Sequence, residues 1–201
     1  MKINIKNKED LQKIKELLIA IDMVNGFVKE GALAAPSIMR IVPRQIHLLD
    51  EALVNDDMGI VFIRDNHNED AIEFKTYGPH CINDTLETEL ISELKKYEPY
   101  SYEYLKNSTN LIFAKGLQDD LLKLSNLEKI YLMGCLSDVC VLNGAIGLRT
   151  YFDELNKDIE ILVYEDAIDT YNAPNHDADK VNEISLEQMK TNGIKILRRK
   201  M

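Results

Sequence analysis

The run LLIAIDM at residues 17–23 decides the fold: five consecutive apolar residues lead straight into the carboxylate of Asp22. Near-continuous apolarity in so short a run, repeated in the IVFI of MGIVFIRD (58–65), fits a strand buried on both faces, as in a parallel sheet. KIYLMGC (129–135), DIEILVYED (158–166) and IKILR (194–198) are likewise short, rich in Ile, Val, Leu and Tyr, and bounded by turn or charged residues. Helical patterns lie between these runs at about 37–56, 119–126, 139–156 and 180–192. Pro43 either starts or kinks the first of them, and Gly193 stops the last before the final strand. Such alternation predicts a doubly wound, three-layer α/β/α fold with a mainly parallel central sheet and right-handed crossovers. The segment 98–116, EPYSYEYLKNSTNLIFAKG, stays open, because YEYLK and NLIFA both read as strands. Residues 1–16 are charged and mildly helical, and read as an N-terminal extension or surface helix of a single 1–201 domain.

The chain has 201 residues, 34 acidic against 24 basic, for a formal charge of −10. That balance argues against a nucleic-acid or anionic-membrane surface, since both need clustered Lys and Arg. No apolar run is long enough to cross a bilayer, and the opening MKINIKNKED lacks the apolar core of a secretory signal. Three cysteines, an odd and sparse set, fit a reducing cytoplasm better than a disulfide scaffold.

In a doubly wound fold the ligand crevice lies at the carboxyl ends of the strands, where Asp22, Asp65 and the stretch after Cys135 fall. Asp22, if buried, must be paired or functional; the plainer alternative is a cap for the turn containing Asn25 and Gly26. In RDNH (64–67), Asp65 and His67 are two apart on an extended strand end and can converge. With Glu73 and His80 downstream they make a nitrogen and oxygen set suited to Zn²⁺, Mn²⁺ or Fe²⁺, or else an ordinary polar loop. In GCLSDVCV (134–141), Ser137 and Asp138 are helix-capping types, which puts Cys140 in a first helical turn where the macrodipole favours a thiolate. A small buried hydrophobe is the competing reading for Cys140. Lys106, after EYL, could serve a nearby thiol or simply face solvent. His47 reads as a packed or surface residue, His176 as a loop or helix-start residue, and Cys81 as core.

Together these features resemble the isochorismatase-like cysteine hydrolases. The resemblance rests on D-x-x-N-x-F (Asp22, Asn25, Phe27), a lysine ending the third strand (Lys106 in KNST), and G-x-x-[ST]-D-x-C-V from Gly134 to Val141. Its order and spacing cover nearly the whole chain, and it favours YEYLK as the third strand. Within that superfamily the D-x-H…P-H-C pattern is similar to the nicotinamidases. The resemblance implies Cys140 as nucleophile, Asp22 as proton carrier and Lys106 as the cation that holds them. It also implies an oxyanion hole from the Leu136 and Cys140 backbone N–H groups, and a cis peptide at Cys135–Leu136. Asp65, His67 and His80 map onto metal ligands, with Glu73 where some members have His and others Glu, and with Phe27 and Tyr77 flanking the substrate ring. The implied cofactor is a divalent transition metal, Zn²⁺ first, with Fe²⁺ or Mn²⁺ as alternatives. The implied activity is hydrolysis of nicotinamide, a small-molecule amide, to nicotinate and ammonia in cytoplasmic NAD salvage, by a homo-oligomer with no nucleic-acid or membrane partner. Two positions depart from the pattern: Tyr77 stands where many nicotinamidases carry Trp, a residue this chain lacks altogether, and KNST replaces an aromatic and Ser-Ala-Phe. The alternatives are a relative acting on another amide, carbamoyl or vinyl ether substrate, which would generally lack the metal set, and a catalytically silent α/β binding protein.

Overall fold

The structure, a computed structural model, describes residues 12–198. Six strands, β1 (Glu16–Ile21), β2 (Met58–Asp65), β3 (Ser101–Lys106), β4 (Lys129–Cys135), β5 (Glu160–Asp169) and β6 (Lys195–Leu197), form one sheet in the order β3-β2-β1-β4-β5-β6. Every pairing is parallel. The strand order reverses between β1 and β4, and a crevice opens above such a switch point.

The helices among the described residues are α1 (Asn25–Val28), α2 (Val42–Leu53), α3 (Phe74–Tyr77), α4 (Leu117–Lys123), α5 (Cys140–Glu154) and α6 (Ala178–Thr191). Alternation along β1 divides the core between two faces. Leu17, Ile19 and Ile21 join Val141, Ala145, Leu148 and Phe152 of α5, while Leu18 and Ala20 join Leu48, Leu49 and Ala52 of α2. Each fully buried Leu or Ile contributes about 1.5–3 kcal/mol, so a sheet covered on both sides is a rigid support for its strand ends. Gly134 brings β4 against β1. Its φ is +127°, and a Cβ there would lie 2.1 Å from the Ile21 carbonyl oxygen, so only glycine permits the approach.

The expected helix at 37–56 divides in two. Pro36–Ile41 forms a 3₁₀ turn, and Pro43 lies in the first turn of α2, which it starts rather than kinks. In the open segment 98–116, Ser101–Lys106 is the strand, at the sheet edge. Leu111–Phe113 is a 3₁₀ turn whose Leu111 and Ile112 are buried in the core. The expected extension at 1–16 is revised where it is described: Ile14 is fully buried and Glu16 already begins β1. Residues 1–11 lie outside the described residues.

Candidate active site

Four strands deliver one side chain each to the crevice: Asp22 follows β1, Asp65 ends β2, Lys106 ends β3, and Cys140 opens α5 after β4. Asp22 turns the chain with φ 53°, in the left-handed region that Asp tolerates better than most residues. Its Oδ1 accepts the Asp65 backbone N–H at 2.9 Å, and its Oδ2 lies 2.8 Å from Lys106 Nζ. Lys106 also bonds Asp65 Oδ1 and lies 3.7 Å from Cys140 Sγ. An Asp22 carboxylate oxygen and Cys140 Sγ are within 4.8 Å of each other. All four residues are buried.

Burial pushes the Asp22 carboxyl up to about 6; the Asp65 charge adds to this and Lys106 opposes it. Burial also pulls on Lys106, but the Asp22 and Asp65 carboxylates hold its pKa well above the ordinary value, so it stays a cation. The Cys140 thiol is raised well above its usual range by burial, with Lys106 the opposing influence. Burial thus works against the thiolate that the helix terminus favours, and the thiol sits beside a carboxylate able to take its proton. Ser137 and Asp138 also depart from their expected capping role. The N-cap is Val139, without a side-chain cap bond; Ser137 bonds Asn182, and Asp138 accepts from Thr170 Oγ1 at 2.6 Å.

The Cys135–Leu136 peptide is cis. The Leu136 carbonyl accepts from Val139 N and Val141 N at 3.1 and 3.0 Å, which closes the turn. The N–H groups of Leu136 and Cys140 make no backbone hydrogen bond among the described residues, and both residues line the cavity. They are therefore available to an oxyanion.

Asp65, His67, Glu73 and His80 converge beside this cluster. Asp65 Oδ2 and Glu73 Oε1 lie between 3.5 and 4.0 Å from the Nε2 atoms of the two histidines. A tetrahedral ion with bonds of about 2.1 Å has edges of about 3.4 Å, so the donors are spaced to share one cation. Each histidine is fixed through its other nitrogen. His67 Nδ1 pairs with Asn107 Oδ1 at 2.8 Å and His80 Nδ1 with the Gly78 carbonyl at 2.8 Å. Both partners accept, so each Nδ1 carries the proton and each Nε2 offers a lone pair. Asp65 Oδ2 and His67 Nε2 are buried without a hydrogen-bond partner, orphaned acceptors that a divalent cation would satisfy.

Both clusters border one cavity of 710 Å³, with Phe27, Tyr77, Thr109 and Tyr171 in its wall. Phe27 is buried 5.5 Å from the His80 ring, and Tyr77 is half-exposed 6.4 Å from it. The structure thus brings together Asp22, Lys106, Cys140, Leu136, Phe27, Tyr77 and all four metal-type residues. Cys81 is core as expected, and His47 lies on the surface against Glu51. Sequence reasoning missed Asn107, Gly78, Thr109 and Tyr171. Only Asn107 carried a signal, as the polar residue directly after Lys106.

Residues 16–198 match the family described as the isochorismatase domain. The chain is 28% identical over 174 residues to an uncharacterised isochorismatase family protein, PncA, of Bacillus subtilis (strain 168), covering 81% of this chain and 91% of that one. It is 27% identical over 181 residues to nicotinamidase 1 of Arabidopsis thaliana, covering 82% and 73%. The fold superposes on the pyrazinamidase of Pyrococcus horikoshii, solved in complex with zinc, with a TM-score of 0.73 at 25% identity over 92% of this chain and 99% of that one.

Proposed function

The chain belongs to the isochorismatase family, and we propose that within it the protein is a metal-dependent nicotinamidase that releases nicotinate and ammonia from nicotinamide. One observation carries this reading: a buried Asp22–Lys106–Cys140 cluster and the Asp65–His67–Glu73–His80 donor set open onto the same cavity. No Arg or Lys stands among the described lining residues to pair with a substrate carboxylate, which suits a neutral amide. The relatives named nicotinamidase and pyrazinamidase support the same choice.

Cys140 Sγ attacks the carboxamide carbon while its proton passes to Asp22. The developing oxyanion accepts from the Leu136 and Cys140 N–H groups, where a single donor is worth about 10²–10³ in rate. Asp22 returns the proton to the departing ammonia, leaving a Cys140 thioester. It then takes a proton from the water that attacks the thioester and passes it to the departing Cys140 sulfur, which frees nicotinate and restores the thiol and the carboxylate. Lys106 keeps Asp22 aligned and stays charged throughout. A divalent metal, Zn²⁺ first with Fe²⁺ or Mn²⁺ as alternatives, would be held by Asp65, His67, Glu73 and His80 and would supply a Lewis-acid anchor for the pyridine nitrogen. The reading carries with it one hydrolase domain, acting in cytoplasmic NAD salvage.

The deciding experiment is ammonia release from nicotinamide before chelation, after it, and after a metal is restored. Release that is lost and then regained is expected. Release from other amides but not from nicotinamide would overturn the assignment.

A further inference from the structure

Beyond β5 the chain runs through Thr170, Tyr171 and Asn172 and folds back, with Ala173 and His176 exchanging backbone hydrogen bonds of 2.9 Å. That turn lays the His176 ring flat on Tyr171, with centroids 3.8 Å apart and planes 7° from parallel. Neutral aromatic pairs prefer offset or edge-on contacts with centroids about 4.5–7 Å apart, whereas a cation gains from sitting over a tyrosine face. The hydrogen bonds say which case applies. His176 Nδ1 faces the Tyr171 carbonyl at 2.9 Å, and Nε2 faces Asp138 Oδ2 at 2.9 Å. Neither oxygen has a proton to give, so both ring nitrogens donate only if His176 is an imidazolium. Burial pulls its pKa down, but the Asp138 carboxylate and the Tyr171 carbonyl raise it above 6.5.

Asp138 stands two residues before Cys140, so the stack is fastened to the nucleophile's own turn. The stack covers one face of Tyr171. The residue remains 37% exposed and lines the cavity with Cys140, so the rest of its ring borders the space a substrate would fill. Among the described residues no other lining aromatic is backed by a parallel ring.

We propose that Tyr171, held flat by cationic His176 on Asp138, is a specificity-determining wall of the cavity that selects planar aromatic carboxamides. The proposal deepens the amidase reading and rests on it for the chemistry. Its role is binding and positioning, so its signature is a change in preference rather than in the chemical step.

The test uses the full chain with its metal, in the Cys140→Ala background, so that affinity is read without turnover. Calorimetry compares benzamide, which is planar and has no ring nitrogen, with cyclohexanecarboxamide, its puckered counterpart. Tyr171→Ala is expected to reduce the preference for benzamide by about 5–10-fold. Tyr171→Phe should recover it, and His176→Gln, outside the cavity lining, should reduce it in the same direction. Equal weakening of both amides, no change, or no initial preference for benzamide would each overturn the proposal. A selective loss of benzamide affinity, alongside a wild-type protein that releases no ammonia from nicotinamide, would uphold the wall and remove only the nicotinamidase reading.

Discussion

Lys106 Nζ lies 2.8 Å from Asp22 Oδ2 with neither side chain exposed, and the same ammonium bonds Asp65 on its other side. One cation therefore serves both halves of the site: it aligns Asp22, the proposed proton carrier, and balances Asp65 of the proposed metal set. Lys106→Met leaves two buried carboxylates facing each other. A stability loss of about 3–5 kcal/mol is expected, read from denaturant midpoints, together with loss of ammonia release. A variant as stable as the parent would contradict this account of the cluster.

Cys140→Ala should bind nicotinamide yet lower ammonia release by about 10⁴-fold or more, in line with nucleophiles that act within a catalytic group. Acid-quenched turnover examined by intact-protein mass spectrometry should show a nicotinoyl adduct on the parent and none on the variant. An adduct on another residue would move the nucleophile.

Asn107 Oδ1 meets the proposed metal site at His67 Nδ1, 2.8 Å away. Asn107→Ala should free that ring and weaken metal affinity by about 10–100-fold while the four ligands remain. Competition with a chromophoric chelator measures the change directly. An unchanged affinity would mean that packing alone orients His67.

Asp22 accepts a proton only as a carboxylate, and burial, then the Asp65 charge, lifts its pKa to about 6. A raised carboxyl pKa brings the loss of activity closer to neutrality: kcat/KM should be flat above this value and fall about tenfold per pH unit below it. Metal content measured at each pH separates this limb from loss of the ion. A profile still flat at pH 4.5 would show that the Asp22 carboxyl is not raised in the working enzyme.

Gly134→Ala places a methyl group 2.1 Å from the Ile21 carbonyl and forces an L-residue to φ +127°. The cost should exceed about 4 kcal/mol, because backbone rather than a yielding side chain is in the way. Thermal melting of purified protein tests it, and a near-normal midpoint would show that β1 and β4 can separate.

The central strands were legible because burial on both faces writes itself as unbroken apolar runs, LLIAI and IVFI above all. Asp65 and His67 were legible for a related reason, since the two-residue repeat of an extended chain puts them on one side. NLIFA competed with YEYLK for the third strand because Leu111 and Ile112 are as buried as strand residues, although a 3₁₀ turn presents them. Ser137 and Asp138 misled because their oxygens are drawn to Asn182, Thr170 and His176, partners supplied by distant parts of the chain. Gly78 helps through a carbonyl, and Tyr171 through the ring stacked on it. Neither feature leaves a periodic trace.

The strand order also bears on how the molecule comes into being. The Cys135 thiol donates to the Asp22 carbonyl at 3.1 Å from a position 113 residues later in the chain. Contacts of such separation are slow to form, because a long loop must close before they repay its entropy. Until β1 has met β4, Cys140 is a thiol without its base or its cation. On the proposed amidase reading a nascent or half-folded chain is hydrolytically silent, and the return of ammonia release during refolding would clock the closing of the central strand pair.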